Sequence, residues 1–374
     1  MSNERLKEID ILRATAFIFV VAQHTVGGLS NNKNISVLDY SILKFIYVIA
    51  QTAVPIFLFI SGLSLLYVYS EKFDWKKYYI KRIKYVLIPY IVWSAINIYK
   101  LKDMQKFQSF LMQLVSGNAA FHLWYMGMIL RLYLIFPIIL LIAKKVHASN
   151  IKIRIIIFIG LTILYYYVSK YTNVIENSVT SFLFKSPDEL QRKAVSISPV
   201  FWYLYFVLGM YLALNYEYIK DKVLKNKNII FAVYLPLLVY AYLHEVKYNN
   251  IQFIRPLWIL YVVASILVFY IISDIFANKL KIYIFMRYIS DYSFAAYMAH
   301  VLVIIYIINH ATWYYHIKNP LALGLLSWII TSLATPILIS ILAFVPYSQF
   351  ITGAKNIKMR LGSKNLYRRF ITWI

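Results

Sequence analysis

Arg13 and His24, in the apolar stretch EIDILRATAFIFVVAQH (residues 8–24), are of types that could do chemistry together, and they lie eleven positions apart. At about 100° and 1.5 Å per helical residue, they fall within roughly 20° of each other and some 16 Å apart along the axis. In a hydrocarbon core about 30 Å thick, this places a cation near one interface and an imidazole past the middle. The cation can hold an anionic group; the imidazole can move a proton. Asp10 shares the face and pairs with Arg13 three residues on. The plainer alternative is an arginine that snorkels to the headgroups and a histidine bonded to a neighbouring helix. Polar groups so deep are costly and usually mark function.

Three further stretches carry candidates. KKYYIKRIKYVLIPY, residues 76–90, sets Lys81, Arg82 and Lys84 just before an apolar run, interleaved with tyrosines. Such side chains can grip phosphates of a ligand, or stripe the lipid headgroups. FHLWYMGMILRLY, from residue 121, places His122, Trp124 and Tyr125 at interfacial depth, where an aromatic belt is the default. Arg131, nine residues beyond His122, lies about 13 Å deep and must find a partner or a ligand-lined pocket. Trp124, one heptad earlier, shares its face. ISDYSFAAYMAHVLVI, from residue 289, puts Ser293 and His300 on one helical face, with His300 near mid-membrane. Pro55 and Ser61-Gly62 in the second apolar run read as a kink and a close-packing site.

The elements that must position these residues are membrane helices. The chain is 61% hydrophobic and 14% charged, against roughly 25% charged in soluble domains. Ten apolar stretches of spanning length recur: 10–29, 41–69, 84–101, 122–143, 153–169, 199–216, 228–243, 254–276, 284–309 and 321–346. The expected fold is an all-α polytopic bundle of about ten transmembrane helices. Residues 1–346 form its membrane domain and 347–374 a basic tail. The first run lacks a small-residue cleavage site and is expected to remain as a span. With no cysteine, disulfides, thiolate metal sites and acyl-cysteine intermediates are excluded, and no metal site is expected.

A net charge of +24 raises nucleic acid as a partner, but the basic residues sit in short flanks between apolar runs. They read as topogenic signals and anionic-lipid contacts rather than as a nucleic-acid groove. The richer set of flanks lies around residues 5–7, 72–84, 144–154, 220–227, 279–287 and 355–369. Lys33, Arg255 and the other alternate flanks are poorer. By the positive-inside rule both termini are expected to be cytoplasmic; the plasma membrane is the expected location and membrane lipids are expected partners. The longest outer loop, about 170–198, holds Ser186-Pro187-Asp188-Glu189, a helix-start signal with Ser186 as cap.

Taken in order, these motifs resemble the acyltransferase-3 family, multi-span bacterial enzymes that acylate surface carbohydrates. Arg13 and His24 match its pattern of arginine, ten residues, histidine. IFLFISG resembles its aromatic Ser-Gly element, IKRIKYVLIPY its basic element, HLWYMGMILRLYLIFP its fourth-span signature and SDYSFAAYMAH its late Ser/Tyr/His element. The resemblance runs from about residue 5 to 345. Lys81 and Lys84 stand where arginines are commoner, and Arg131 maps to no motif. The resemblance implies a cytoplasmic acyl-CoA donor, with no permanently bound cofactor, and a carbohydrate hydroxyl acceptor on the outer side, often lipid-linked. The acyl group is acetyl or a short acid such as succinyl. Arg13, Lys81, Arg82 and Lys84 would hold the coenzyme A phosphates, and His24 would act as general base or transient acyl carrier. His122, Trp124, Tyr125, Arg131, Ser293 and His300 would meet the substrates, and surface-polysaccharide biosynthesis proteins are candidate partners. A transporter or flippase, or a non-catalytic scaffold, are the competing classes; no internal repeat favours the transporter.

Overall fold

The computed structural model describes residues 5–30, 35–248 and 256–354, among which there is no strand. The tail from residue 355, with Lys33 and Arg255, lies outside the described residues. In chain order the first helices are α1 (Lys7–Leu29), α2 (Val37–Ala50), α3 (Ala53–Tyr69), α4 (Trp75–Arg82), α5 (Ile88–Lys100) and α6 (Phe110–Val115). Then come α7 (Trp124–Ala148), α8 (Ile151–Lys170), α9 (Thr172–Leu183), α10 (Glu189–Ser196), α11 (Tyr203–Leu214) and α12 (Tyr216–Lys225). The last long helices are α13 (Lys227–Tyr248), α14 (Pro256–Ala277), α15 (Leu280–Trp313) and α16 (Pro320–Leu342).

Among the described residues, eight helical units are long and apolar enough to cross a membrane, with α2 and α3 counted as one across the turn at Gln51 and Thr52. Among the described residues each of the ten expected stretches is mainly helical, but two are not among these eight. Residues 84–101 belong to a charged helix that runs from α4 through a π-turn at Ile83–Leu87 into α5. Pro89 follows that turn and has no N–H to donate, so the ladder slips by one residue there. The stretch 199–216 yields only α11, 12 residues or about 18 Å. It need not face lipid, because it lies flush on α3. A Cβ at Gly62 would collide with the Phe206 carbonyl, and one at Gly209 with the Phe59 carbonyl. Only hydrogen lets the two backbones approach so closely.

α1 is the centre of the bundle. It packs against α2, α3, α14, α15 and α16, so the first and the last long helices meet on it. Its spanning window is 67% buried, against 11% for α8 at the periphery. At the lysine-rich end α12 is tied beneath it. Lys220 Nζ lies 2.8 Å from Glu8 and 2.8 Å from Asp274 on α14, and the Tyr216 hydroxyl donates to Glu8. Burial pulls the Lys220 ammonium down, but the Asp274 and Glu8 contacts outweigh it and hold it above the usual lysine range. Nearer the opposite end, Lys44 on α2 and Glu245 on α13 form a buried ion pair of 2.9 Å, each side chain 2% exposed. Residues 347–354 fold back on the bundle, where the Trp93 indole N–H donates to the Ile351 carbonyl.

The connection at residues 170–198 does contain a short helix, α10, but its cap is shifted by two residues from the one expected. Asp188, not Ser186, accepts the Gln191 N–H, and Gln191 answers with a bond from the Asp188 N–H. α9 was not visible as a helix in the sequence pattern, which reads that segment as loop.

Candidate active site

Arg13 and His24 share a face of α1, and each meets a different set of neighbours. Arg13 lies 3.5 Å from Asp10 and donates to the Ser64 hydroxyl at 3.4 Å. Asp10 also receives Arg5 at 2.5 Å, and Arg5 reaches Asp291 on α15 at 2.6 Å. Arg5 loses hydration here, yet its bonds to Asp10 and the charge of Asp291 keep its guanidinium above the ordinary arginine range. These contacts brace the lysine-rich end of α1 against α15.

Above that brace a cavity of about 280 Å³ opens between α1, α3, α7 and α15. Arg13 and Arg82 line it together with Ser61, Ser64 and Ser293, Tyr125, Tyr133 and Tyr297, and apolar side chains such as Ile60 and Ile129. A second chamber of about 410 Å³ shares Arg13, Ser64 and Val68 with it and reaches to Arg5 and Leu6. Arg82 lies between the rings of Tyr78 and Tyr133, 5.1 and 4.7 Å from their centres. Its Nε is buried without a hydrogen-bond partner, and no carboxylate pairs with it among the described residues. A partly buried cation set between two rings and without a carboxylate partner is suited to an anionic ligand. Lys81 and Lys84 do not line the cavity. Lys81 is exposed, and Lys84 lies over the rings of Tyr85 and Phe350. Three residues so closely spaced on one helix cannot all face inward.

The imidazoles form a cluster of three. His24 is 5.2 Å from His300 and 6.3 Å from His122, ring centre to ring centre, and the latter two are 5.0 Å apart. α1 brings His24 and α15 brings His300. His122 comes from a 3₁₀ turn at Phe121–Leu123, entered through Gly117 at a φ of 63°. His122 is 1% and His300 0% exposed; His24 alone keeps accessible surface, with the exposed ring of Phe121 beside it.

Backbone carbonyls fix the tautomers of the two buried rings. His122 Nε2 meets the Met298 carbonyl at 3.3 Å, and His300 Nδ1 meets the Tyr297 carbonyl at 2.5 Å. A carbonyl only accepts, so each of these nitrogens carries the proton. The remaining nitrogens, His122 Nδ1 and His300 Nε2, are buried with no partner. Each keeps a lone pair for a donor such as a hydroxyl. Among the described residues no trio of histidine, cysteine or acid groups is placed to hold a metal ion.

The cavity that holds Arg13 stops short of the histidines. Its far wall is aromatic: Phe57, Tyr125 and Tyr297 lie 5.7–6.4 Å from one another, and Tyr297 also touches the rings of His122 and His300. The Tyr297 hydroxyl donates to the His122 carbonyl. One residue therefore closes the cavity and tethers both buried histidines. The sequence reading missed it, although the spacing Tyr-Met-Ala-His holds Tyr297 one turn before His300.

Of the expected site residues, the structure brings Arg13, Arg82, Tyr125 and Ser293 to the cavity and His24, His122 and His300 to the cluster behind it. Trp124 packs against Trp202 at 5.1 Å, away from the cavity. Arg131 does not line the cavity either. Its guanidinium donates to the Ala194 carbonyl at 2.5 Å and the Val115 carbonyl at 2.7 Å, at the ends of α10 and α6. Carbonyls at helix C-termini are natural partners for a cation. The expected ligand-lined surroundings are thus replaced by the carbonyls of two short helices, α10 and α6.

A sequence profile described as an acyltransferase domain matches residues 6–345 of this chain. No curated protein and no solved structure gave a match.

Proposed function

Starting from the fact that this chain belongs to the acyltransferase-3 family, as that match over nearly its whole length shows, we propose that it moves a short acyl group from a coenzyme A thioester to a carbohydrate hydroxyl. The donor enters from the lysine-rich, cytoplasmic side of the plasma membrane and the acceptor from the opposite side. One observation carries this reading. Arg13 and Arg82 line a cavity whose closed end backs onto His122 and His300, the two rings that stand beside His24.

The two arginines hold phosphate oxygens near the mouth, and the thioester arm occupies the cavity up to Phe57, Tyr125 and Tyr297. The acceptor hydroxyl meets His24, the imidazole with accessible surface. His24 takes the hydroxyl proton as the oxygen attacks the thioester carbonyl; the C–S bond breaks and the proton passes to the departing thiolate. A route in which His24 first carries the acyl group uses the same residues. His122 Nδ1 or His300 Nε2 accepts a second acceptor hydroxyl and orients it. Surface-polysaccharide biosynthesis proteins would supply or consume such an acceptor.

His24→Ala is expected to abolish acyl transfer to surface glycans, read by mass spectrometry, while purified protein still binds acyl-CoA. Unchanged transfer removes His24 from the chemistry. Failure of the wild-type protein to bind acyl-CoA removes the donor and returns the chain to an exporter-like reading.

A further inference from the structure

A second concavity lies outside the site. Between α7, α8 and α11 the helices leave a slot of about 310 Å³, bounded by side chains such as Ile139, Phe158, Val207 and Leu214. At its lysine-rich end stand His147 and Arg154. Along α7 the slot runs from Ile139 to His147, about 12 Å; along α8 from Arg154 to Leu161 and along α11 from Val207 to Leu214, each about 10 Å. That is close to the depth of one leaflet in a core about 30 Å thick. The three helices end together at the same side, so the slot opens at headgroup level.

We infer that this slot binds one acyl chain of an anionic glycerophospholipid, with Arg154 holding its phosphate. Arg154 Nε donates to the Ser149 carbonyl at 2.9 Å, which sets the guanidinium across the turn between α7 and α8. Its terminal amino groups have no protein partner among the described residues, and no carboxylate pairs with it. Lys144, Lys145 and Lys152 flank the same turn, and the sequence has no acidic residue between Asp103 and Glu176. The ligand must therefore bring the negative charge. A second copy of the chain is a poor occupant, because a twofold contact would set this basic rim against itself.

Native mass spectrometry of the full chain, purified in detergent and mixed with phosphatidylglycerol or phosphatidylcholine of identical chains, tests this. The wild-type monomer is expected to retain one phosphatidylglycerol in preference to phosphatidylcholine. Arg154→Gln should cut that preference roughly fivefold, the loss of one basic contact near the surface. Ala143→Phe fills the slot and should abolish retention of both lipids; Val207→Trp does the same from α11 should the first variant fail to accumulate. Equal retention of the two lipids overturns the proposal, as does a preference that survives Arg154→Gln. Retention in a filled slot, or a dimer whose formation excludes lipid, also overturns it.

Discussion

Arg82 and Tyr297 act through single groups, so their predictions belong to the side chain. Arg82 lies in the cavity wall with an unsatisfied Nε, whereas Lys81 points outward. Arg82→Ala should raise the donor KM roughly thirtyfold, the worth of a charged hydrogen bond of about 2 kcal/mol, while Lys81→Ala leaves it unchanged within about twofold. Equal effects of the two would place the phosphates elsewhere. Tyr297→Phe keeps the ring and removes the bond to the His122 carbonyl, so transfer should slow about fivefold with donor binding intact. Tyr297→Ala removes the wall and should release acid from acyl-CoA in the absence of acceptor. A Tyr297→Ala protein that does not hydrolyse acyl-CoA faster than wild type would mean the ring is no barrier.

At this scale the sequence was informative where one helix carries the whole relation. Arg13, Asp10 and His24 lie on α1, and a helical wheel suffices to put them on one face. His122 reads as a belt residue because depth is counted from the helix start. In the structure the segment from Gly117 to Leu123 turns inward and buries it. Arg131 shows the reverse error: its depth on α7 was legible, but not that α6 and α10 supply carbonyls to it. The aromatic wall joins residues 57, 125 and 297 from three helices, and no local window could have assembled it.

Between elements, the closest approach is that of α3 and α11. Gly62→Val or Gly209→Val must push the backbones apart, and overpacking of this kind costs about 1–3 kcal/mol or more. The expected result is a lower thermal midpoint for both variants, measured in detergent; an unchanged midpoint would mean that α11 floats free of α3. Ten apolar runs were legible because hydropathy decides burial in lipid. It does not decide whether a run is long enough once a protein neighbour replaces lipid, which is why α11 can stop at 12 residues. The helix from Trp75 to Lys100 is not among the eight spanning-length units for a different reason, the polar and charged residues spread along it, from Lys76 and Lys84 to Asn97 and Lys100. The Lys44–Glu245 pair ties α2 to α13 and makes a sharper test. Lys44→Met alone should destabilise by about 3–5 kcal/mol by stranding Glu245, and the double variant Lys44→Met/Glu245→Leu should recover most of it. A double variant no better than the single would show that the pair contributes beyond mutual neutralisation.

Across the whole molecule, two compartments meet at one residue. Tyr297 closes the chamber of Arg13 and Arg82; its hydroxyl holds the backbone of His122 and its carbonyl the ring of His300. The ring cannot swing aside without releasing the hydroxyl bond that restrains His122. In the proposed reaction, opening the wall to the thioester arm also frees the backbone of His122, so the donor passage and the pocket for the acceptor change shape together.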